Sequence, residues 1–292
     1  MSETVVLQGN AKINLSLDVL GKRPDGYHEV SMVMQSVSLA DEIILQEAKD
    51  ISLTVDVPGL EADSKNLAWR AAELVRQKCA IAKGVSITLR KKIPLAAGLA
   101  GGSADAAAVL RGVNKLWQTR LTQQELLELG AQLGSDVPFC LLGGTRLATG
   151  RGTELEELPA MPVCGVVLAK LPVAVSTAWV YGHFAAARVK QRPDLLGLKT
   201  ALQKGSLEGV ASRLCNVLES VTISEHPEIQ KLKDDMLRQG AMASLMSGSG
   251  PTVFALTENE EAAGDVAERL RRSWGDRVSI FTAKTVRKVD GE

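Results

Sequence analysis

The sequence predicts an α+β protein with two domains. The chain has 292 residues, which is long for a single hydrophobic core. Strand-like and helical patterns follow one another without the strict strand–helix–strand alternation of a parallel α/β fold. A polar stretch at 149–162, interrupted by glycine and proline, lies near the middle and is typical of a domain boundary. We therefore expect a first domain at 1–155 and a second at 156–292.

The first domain is predicted to begin with a strand at 11–20. Its odd-numbered residues are apolar from Ala11 to Val19 and the intervening residues are polar, which indicates one buried face. Thr122 and Glu125 form a capping-box pattern that opens a helix ending near Gly134. The stretch GSDVPFCLLGG then turns out of that helix. The other elements expected here are strands at 30–37, 42–45, 51–57 and 85–89, and helices at 66–79 and 103–117.

The second domain is predicted to begin with the apolar run at 163–171. Two short strands surround a glycine turn within AMASLMSGSGPTVFAL, residues 241–256, and a last strand is expected at 277–286. Helical spacing predicts helices at about 177–188, 206–220, 227–239 and 258–274.

Charge and cysteine content exclude several classes of function. The formal net charge is zero, so we expect no nucleic-acid partner. The four cysteines are far apart and surrounded by apolar residues, which favours buried thiols in a reducing compartment over a zinc site or disulfides. The first residues lack a signal-peptide pattern, and the apolar run after residue 163 is too short to cross a bilayer. We therefore expect a soluble, cytoplasmic protein with no membrane partner.

The stretch PLAAGLAGGSADAAA, residues 94–108, is the strongest local signal of function. Three glycines at 98, 101 and 102 lead into an alanine-rich helix, so the backbone needs left-handed dihedrals or a close approach. The spacing is neither that of a Walker A loop nor that of a Rossmann fingerprint. A strand, a glycine turn and a helix capped by Ser103 would nevertheless present free N–H groups to an anion. We predict phosphate binding here, the alternative being a tight turn that needs glycine for geometry alone.

This stretch resembles the phosphate loop of the GHMP kinases. Three further motifs agree in order along nearly the whole chain: AKINLSLDVLGKRPDGYHEV, GSDVPF and SLMSGSGPTVFAL. Alanines at 96, 97 and 100 stand where members of the family often have glycine. The resemblance implies an N-terminal lobe similar to domain 2 of ribosomal protein S5, a ferredoxin-like C-terminal lobe, and a substrate cleft between them.

The resemblance also implies an activity. The branch with GKRPDGYH transfers the γ-phosphoryl group of ATP to the 2-hydroxyl of a cytidine-diphosphate-linked methylerythritol, in the non-mevalonate route to isoprenoid precursors. ATP and Mg²⁺ are the expected cofactors. We assign no protein ligand to the metal, because Mg²⁺ usually keeps several waters beside the phosphates.

Two residues are assigned to catalysis through this resemblance. Asp136 matches the catalytic aspartate within GSDVPF and would accept the proton of the attacking hydroxyl. Lys12 matches the lysine of AKINL and would hold Asp136 in its charged form and stabilise charge near the hydroxyl. From the pattern alone, Asp136 would be interpreted as a turn or cap residue and Lys12 as an exposed strand lysine.

The binding residues are assigned in the same way. Asn66, which also suits a helix N-cap, matches a position near the adenine, and Ser103 is expected near the β-phosphate or Mg²⁺. Tyr27 and His28 supply an aromatic face and hydrogen bonds for the cytosine, with Asn14 and Tyr181 beside them. The SGSGPT turn at 247–252 is expected to support the phosphate loop. The complete loop assignment to ATP is Pro94, Leu95, Ala96, Ala97, Gly98, Leu99, Ala100, Gly101, Gly102, Ser103 and Ala104.

Two alternatives remain open at this point. One is another small-molecule kinase of the family, of the homoserine or mevalonate type. The other is an ATP-binding sensor without catalysis on the same fold. In either case the expected partner is a small molecule, and the expected state is a monomer or a weak homodimer.

Overall fold

The computed structural model describes residues 4–287. Its strands are β1 (Thr4–Lys22), β2 (His28–Ala48), β3 (Ser52–Val55), β4 (Gly84–Arg90), β5 (Thr145–Thr149), β6 (Glu154–Glu157), β7 (Gly165–Lys170), β8 (Cys215–Asn216), β9 (Ala243–Met246), β10 (Thr252–Thr257) and β11 (Ser279–Lys284). Its α-helices are α1 (Leu67–Lys78), α2 (Gly101–Leu116), α3 (Gln123–Leu133), α4 (Val137–Leu142), α5 (Thr177–His183), α6 (Leu195–Gln203), α7 (Leu207–Ala211), α8 (Glu219–Glu225), α9 (Glu228–Arg238) and α10 (Glu260–Trp274). The predicted α+β class is confirmed.

The first sheet has the strand order β3-β4-β2-β1-β8, with β5 also paired to β2 and β6 paired to β5. Its centre is the long antiparallel pair β1–β2, which is interrupted by register shifts such as the one between Asn10 and Lys12. Helices α1 to α4 pack with this sheet to form what we call the first lobe. Helix α2 lies so close to the sheet that a Cβ on Gly112 would stand 2.2 Å from Leu45 Cδ1. A side chain at position 112 would therefore displace the buried side chain of Leu45.

The second sheet has the order β11-β7-β10-β9, and its described strand pairs are antiparallel. Numbered within this half of the chain, the order is fourth, first, third, second, with helices between the first and second and between the third and fourth strands. This is the βαββαβ arrangement of a ferredoxin-like lobe. Amphipathic helices α9 and α10 cover the sheet with residues such as Leu232, Met236 and Leu270. We call this unit the second lobe.

The two lobes share one structural element. Strand β8 belongs by sequence to the second half of the chain, yet it pairs in parallel with Ser16 and Leu17 of β1. The chain leaves the first sheet after Glu157 and enters the second at Gly165. A division of the chain into domains at 1–155 and 156–292 therefore stays our proposal. Strand β8 is an exception to it, because it lies in the second part of the chain and pairs within the first sheet.

Several predicted elements differ from the structure. The strands expected at 30–37 and 42–45 are parts of the single strand β2, because β2 stays paired with β1 on both sides of the register shift between Asn10 and Lys12. The helix expected at 206–220 is wrong: helices α7 and α8 flank β8, because pairing with β1 overrides helical spacing. The helix expected at 177–188 ends at His183, and GSDVPFCLLGG forms the short helix α4 rather than a plain turn.

The prediction of one buried face for the first strand is also wrong. Lys12, Asn14 and Ser16 are 4%, 0% and 2% exposed, as deeply buried as the apolar residues between them. The glycine turn of the second lobe covers this side, since a Cβ on Gly248 would lie 3.4 Å from Lys12 Nζ. An alternating sequence pattern shows that one face of a strand is polar, but not whether that face contacts solvent or a second lobe. None of the helices within residues 4–287 combines the length and the apolar character needed to cross a membrane.

Candidate active site

A cavity of about 1220 Å³ lies between the two lobes and brings the predicted site residues together, except Leu99 and Ala104, which are buried and do not line it. The first lobe contributes β1, the start of β2, the phosphate loop and the beginning of α2. The second lobe contributes α5 and the glycine turn at 248–249. A smaller cavity of about 730 Å³ on the far side of α2 contains none of the predicted residues. Lining positions of the large cavity include Lys12, Asn14, Tyr27, His28, Asn66, Asp136 and Tyr181, together with most of residues 94–103.

The phosphate loop connects β4 to α2 in a left-handed path. Gly98 has φ +72°, as the sequence predicted, but Ala96 and Ala100 also have positive φ, at 50° and 59°. A Cβ on Gly98 would stand 2.4 Å from the Ser247 carbonyl oxygen of the second lobe. Glycine is therefore needed at 98 for both dihedral and space, whereas the other two positions tolerate alanine.

The beginning of α2 differs from the prediction in one respect. The helix starts at Gly101, and the cap position is Ala100, which has no side-chain cap hydrogen bond from residues 4–287. Ser103 therefore lies inside the first turn and is not the cap. The first N–H groups of a helix have no intrahelical partner, and here no side chain of the described chain caps them. Together with the helix dipole, they make this end of the cavity suited to an anion.

Lys12 contacts both the phosphate loop, at Gly98, and Asp136. Its Nζ donates to Asn14 Oδ1 at 2.8 Å and to the Gly98 carbonyl at 3.0 Å, and lies 3.9 Å from Asp136 Oδ2. Its backbone N–H donates to the Leu99 carbonyl at 3.1 Å. A buried ammonium needs such partners, because burying an unpaired charge costs far more than burying a neutral polar group. The sequence-based alternative of an exposed strand lysine is therefore excluded.

Asp136 is the exposed partner of this pair. It occupies the residue before α4, but its side chain makes no capping hydrogen bond within residues 4–287. The side chain is 32% exposed while that of Lys12 is 5% exposed. The carboxylate is therefore open to the cavity on one side and faces an ammonium on the other. This geometry leaves it available to accept a proton from a molecule in the cavity.

The end of the cavity beyond Lys12 is aromatic and cationic. The rings of His28 and Tyr181 are 5.2 Å apart, and the guanidinium of Arg151 lies 5.5 Å from the centre of the Tyr27 ring. Burial, and then the positive charge of Lys22, lower the pKa of His28 below its ordinary value. Burial, and then the negative charge of Asp136, raise the pKa of Tyr181 well above its ordinary value. At neutral pH both groups are uncharged hydrogen-bonding groups.

Two predicted residues have structural partners already. Asn14 Oδ1 accepts from Lys12, and its Nδ2 donates to Met32 Sδ at 3.6 Å, although the residue lines the cavity. Asn66 Oδ1 accepts from Ala68 N at 2.9 Å, so Asn66 is the N-cap of α1, and it also lines the cavity at the loop end.

The glycine turn of the second lobe touches the phosphate loop directly. Ser247 Oγ donates to the Gly98 carbonyl at 3.0 Å, so Gly98 accepts from both lobes. Asn216 of β8 fixes the turn, because its Nδ2 donates to the Met246 and Gly248 carbonyls at 2.8 and 2.7 Å. These bonds connect β1, the loop and the second lobe.

Sequence reasoning missed Arg151 as a site residue. It lies between Gly150 and Gly152, whose φ values are +64° and +96°, and the turn carries it into the cavity. In the sequence this TGRGT stretch indicated a domain boundary. A single arginine between two glycines could have signalled a turn that carries a charge into a site. The sequence shows Lys91 within a basic run before the loop, but the burial of Lys91 against Asp41 and Asp105 was missed as well.

Family models match both halves of the chain. The model described as GHMP kinases N terminal domain matches residues 66–144, and the model described as GHMP kinases C terminal matches residues 198–276. The chain belongs to the GHMP kinase family.

Relatives within the family are similar over almost their whole length. A protein of Bacillus velezensis is 51% identical over 263 residues, which cover 89% of this chain and 91% of the relative. One of Brevibacillus brevis is 46% identical over 290 residues, which cover 99% and 98%. Both are named 4-diphosphocytidyl-2-C-methyl-D-erythritol kinase.

Solved structures agree with this fold. A crystal structure of 4-(cytidine 5'-diphospho)-2C-methyl-D-erythritol kinase has a TM-score of 0.82 at 33% identity and covers 96% of this chain and 99% of its own. A homoserine kinase from Cytophaga hutchinsonii has a TM-score of 0.79 at 21% identity and covers 100% and 97%. The second likeness concerns the fold alone.

Proposed function

We propose that this GHMP kinase transfers the γ-phosphoryl group of ATP to the 2-hydroxyl of 4-diphosphocytidyl-2-C-methyl-D-erythritol. The product is the 2-phosphate, a step toward isoprenoid precursors. The observation that carries the proposal is the Lys12–Asp136 pair. It lies in one cavity between an anion-binding helix end and an aromatic pocket. Relatives at 46% and 51% identity bear the name of this activity.

The catalytic step needs a proton acceptor and compensation of negative charge. Asp136 accepts the proton of the attacking 2-hydroxyl through its cavity-facing carboxylate. Lys12 stays in place through Asn14 and Gly98, so its charge compensates the oxyanion as it forms. Since Lys12 is already positioned, little reorganisation is needed during the reaction.

The phosphate loop holds the donor. The left-handed path from Ala96 to Ala100 and the free N–H groups at the start of α2 bind the ATP phosphates. Asn66 and the residues beside it line the same end of the cavity, which suits the adenosine. Phosphoryl transfer depends mainly on this positioning and on electrostatic stabilisation.

Mg²⁺ is the proposed metal, and when bound with ATP it neutralises phosphate charge. Within residues 4–287, no three side chains of the His, Cys, Asp or Glu type form a group that could hold a metal ion. Mg²⁺ would enter with the nucleotide, because it usually keeps several waters and binds through substrate phosphates. The phosphate loop and Asn66 would hold that nucleotide.

The acceptor end gives the specificity. Tyr27, His28 and Tyr181 offer aromatic faces and neutral hydrogen-bonding groups to the cytosine. Arg151 and Lys22 line the same region and suit the diphosphate of the acceptor. Homoserine and mevalonate have neither a base nor a diphosphate, so a site with these groups favours the cytidyl substrate over them.

A sensor without catalysis is the remaining alternative of another class. It would not require an exposed carboxylate next to a buried ammonium, which is costly to hold in place. The proposed cellular location is the cytoplasm, in keeping with the four free cysteines. The predicted state of monomer or weak homodimer stays a prediction.

The test is ADP release by the purified protein with Mg²⁺-ATP and a panel of acceptors. We expect release with 4-diphosphocytidyl-2-C-methyl-D-erythritol and background rates with homoserine, mevalonate or no acceptor. Release with mevalonate or homoserine alone would contradict the acceptor pocket while keeping the phosphate loop. Binding of ATP without release for any acceptor would favour the sensor.

A further inference from the structure

A buried charge cluster lies beneath the phosphate loop and has no part in the mechanism above. Lys91 Nζ donates to Asp41 Oδ2 and to Asp105 Oδ2, each at 2.5 Å. The side chains of Lys91, Asp41 and Asp105 are 3%, 0% and 3% exposed. Three charged groups at this depth are costly unless their charges and hydrogen bonds are compensated.

The cluster connects the elements that frame the loop. Asp41, on β2, also accepts from the backbone N–H groups of Lys92 and Ile93 at 2.6 and 2.8 Å, where the chain leaves β4. Asp105 belongs to the second turn of α2. Lys91 therefore joins β2 to α2 and fixes both ends of the phosphate loop.

The cluster also lies next to the place where phosphates bind. A Cβ on Gly101, the first residue of α2, would be 3.6 Å from Lys91 Nζ. Lys91 and Asp105 both line the large cavity. With both carboxylates ionised, the cluster has one net negative charge, which repels a polyanion at this distance.

Asp105 is the member whose charge can change. Asp41 accepts three hydrogen bonds, whereas Asp105 Oδ1 is buried and has no partner within the described chain. Burial is the main cause that raises the pKa of Asp105 to about 7. The positive charge of Lys91 opposes this rise, and the negative charge of Asp41 adds to it. Among the described residues of α4, Cys140 also faces Asp105, and burial raises the pKa of its thiol.

We propose that Asp105 is a positioning residue that takes up one proton when the nucleotide phosphates bind, so that the cluster beneath them becomes neutral. The proton comes from solvent and forms the Oδ1–H bond, and no covalent bond to the nucleotide is made. The protonated Oδ1 then has a hydrogen to donate, while Oδ2 keeps accepting from Lys91. The proposal rests on the proposed function in that ATP is the ligand.

The sign of the pH dependence follows from linkage. If the bound state holds the extra proton more tightly, ATP binds more tightly at low pH. Above about pH 7 the free protein loses this proton, so the dissociation constant for ATP rises by up to about tenfold per pH unit. If the cluster had only a structural role, changing Asp105 would alter thermal stability but not the pH dependence of ATP affinity.

Asp105→Asn is the matched variant, because its amide oxygen can accept from Lys91 and its NH₂ replaces the proposed O–H donor. Titration calorimetry with Mg²⁺-ATP at pH 6.5, 7.5 and 8.5 measures affinity, and buffers of different ionisation enthalpy measure proton uptake. The control is Asp234→Asn, a change on the exposed side of α9. Proton exchange by ATP itself is the same for all three proteins and cancels.

We expect the wild type and the control to take up about 0.5–1 more proton per ATP than Asp105→Asn at pH 7.5–8.5. Between pH 7.5 and 8.5, the affinity of these two proteins for ATP should fall at least fivefold more than that of Asp105→Asn. Equal proton uptake by Asp105→Asn and the wild type would overturn the proposal while leaving the proposed function intact. Failure of the wild type to bind ATP at all would overturn both.

If Asp105→Asn does not fold, the wild type alone still decides. Infrared difference spectra at pH 8, with and without Mg²⁺-ATP, should gain the carbonyl band of a protonated carboxylic acid on binding. No gain of this band would contradict the proposal.

Discussion

Lys12 and Asp136 show how folding brings together two residues that we propose to act in catalysis. In the sequence they are 124 positions apart and each has a common structural explanation. In the structure the ammonium is buried and held by Asn14 and Gly98, and the carboxylate faces the cavity. The unequal exposure of the pair suits their proposed roles, because a positioned charge is best buried and a base must reach substrate.

Asp136→Asn removes the proposed proton acceptor but keeps the shape of the side chain. We expect kcat to fall roughly 10²–10⁴-fold. The dissociation constant for ATP should stay within about threefold, since the phosphate loop is untouched. Steady-state kinetics and calorimetry measure the two quantities, with Asp234→Asn as the control. A variant that keeps wild-type turnover would remove Asp136 from catalysis.

His28 gives a pH prediction at the acceptor end. Its pKa is lowered by burial, so the ring stays neutral below the ordinary value of about 6.5 and becomes charged only at more acidic pH. The KM for the cytidyl substrate should be constant from about pH 8 to 6.5 and rise as pH falls further. In His28→Gln, which keeps a hydrogen-bonding group without this titration, the rise should disappear. Persistence of the rise in His28→Gln would assign it to another group.

At the scale of elements, the phosphate loop depends on Gly98. Alanine there must adopt φ +72° and place its Cβ 2.4 Å from the Ser247 carbonyl. We expect Gly98→Ala to lose about 2 kcal/mol or more of stability. The ATP KM should rise at least tenfold, because the loop and Lys12 share the Gly98 carbonyl.

The matched control is Gly264→Ala in α10, where a Cβ has nothing within 4 Å. This change should leave KM unaltered and stabilise the helix by up to about 1 kcal/mol. Thermal unfolding and initial rates of both variants provide the comparison. Equal Tm values for Gly98→Ala and the wild type would contradict the role of the loop contact.

The loop also illustrates what sequence can predict. Glycines before an alanine-rich helix indicated a strand, a turn and a helix, and this order is confirmed. Binding of an anion at the helix end stays a prediction. The cap was wrong, because Ala100 adopts the left-handed conformation and the helix starts two residues before Ser103. Local pattern gives the class of a turn, whereas contacts with the other lobe determine which residues take the unusual dihedrals.

At the scale of the whole molecule, β8 and the glycine turn join the lobes. A two-residue strand inside a helical pattern has no signal of its own, because its partner β1 is 199 positions away at the pairing Ser16–Cys215. The burial of Lys12 was unpredictable for the same reason: its cover comes from the second lobe. Motif resemblance supplied the assignment of Asp136, which periodicity could not, and Arg151 lay outside the quoted motifs.

Because β8 pairs with β1 of the other lobe, we expect both lobes to unfold in one cooperative transition. Trp69 and Trp117 are in the first lobe, and Trp179 and Trp274 are in the second. Replacing one pair by phenylalanine leaves fluorescence that reports on the other lobe. We expect the two double variants to show unfolding midpoints in urea that coincide between fluorescence and circular dichroism. If the fluorescence midpoint differed from the circular-dichroism midpoint in either double variant, the lobes would unfold separately. This result would mean that β8 does not couple them.

The proposed reaction of the whole molecule is the transfer of one phosphoryl group to the acceptor hydroxyl. The most direct measurement is ³¹P NMR of the reaction of Mg²⁺-ATP with 4-diphosphocytidyl-2-C-methyl-D-erythritol. We predict a new phosphomonoester signal that grows in step with ADP, while the diphosphate signals of the acceptor remain and Asp136→Asn gives none. ADP formed without a phosphomonoester, or a new signal equally strong with Asp136→Asn, would contradict the account.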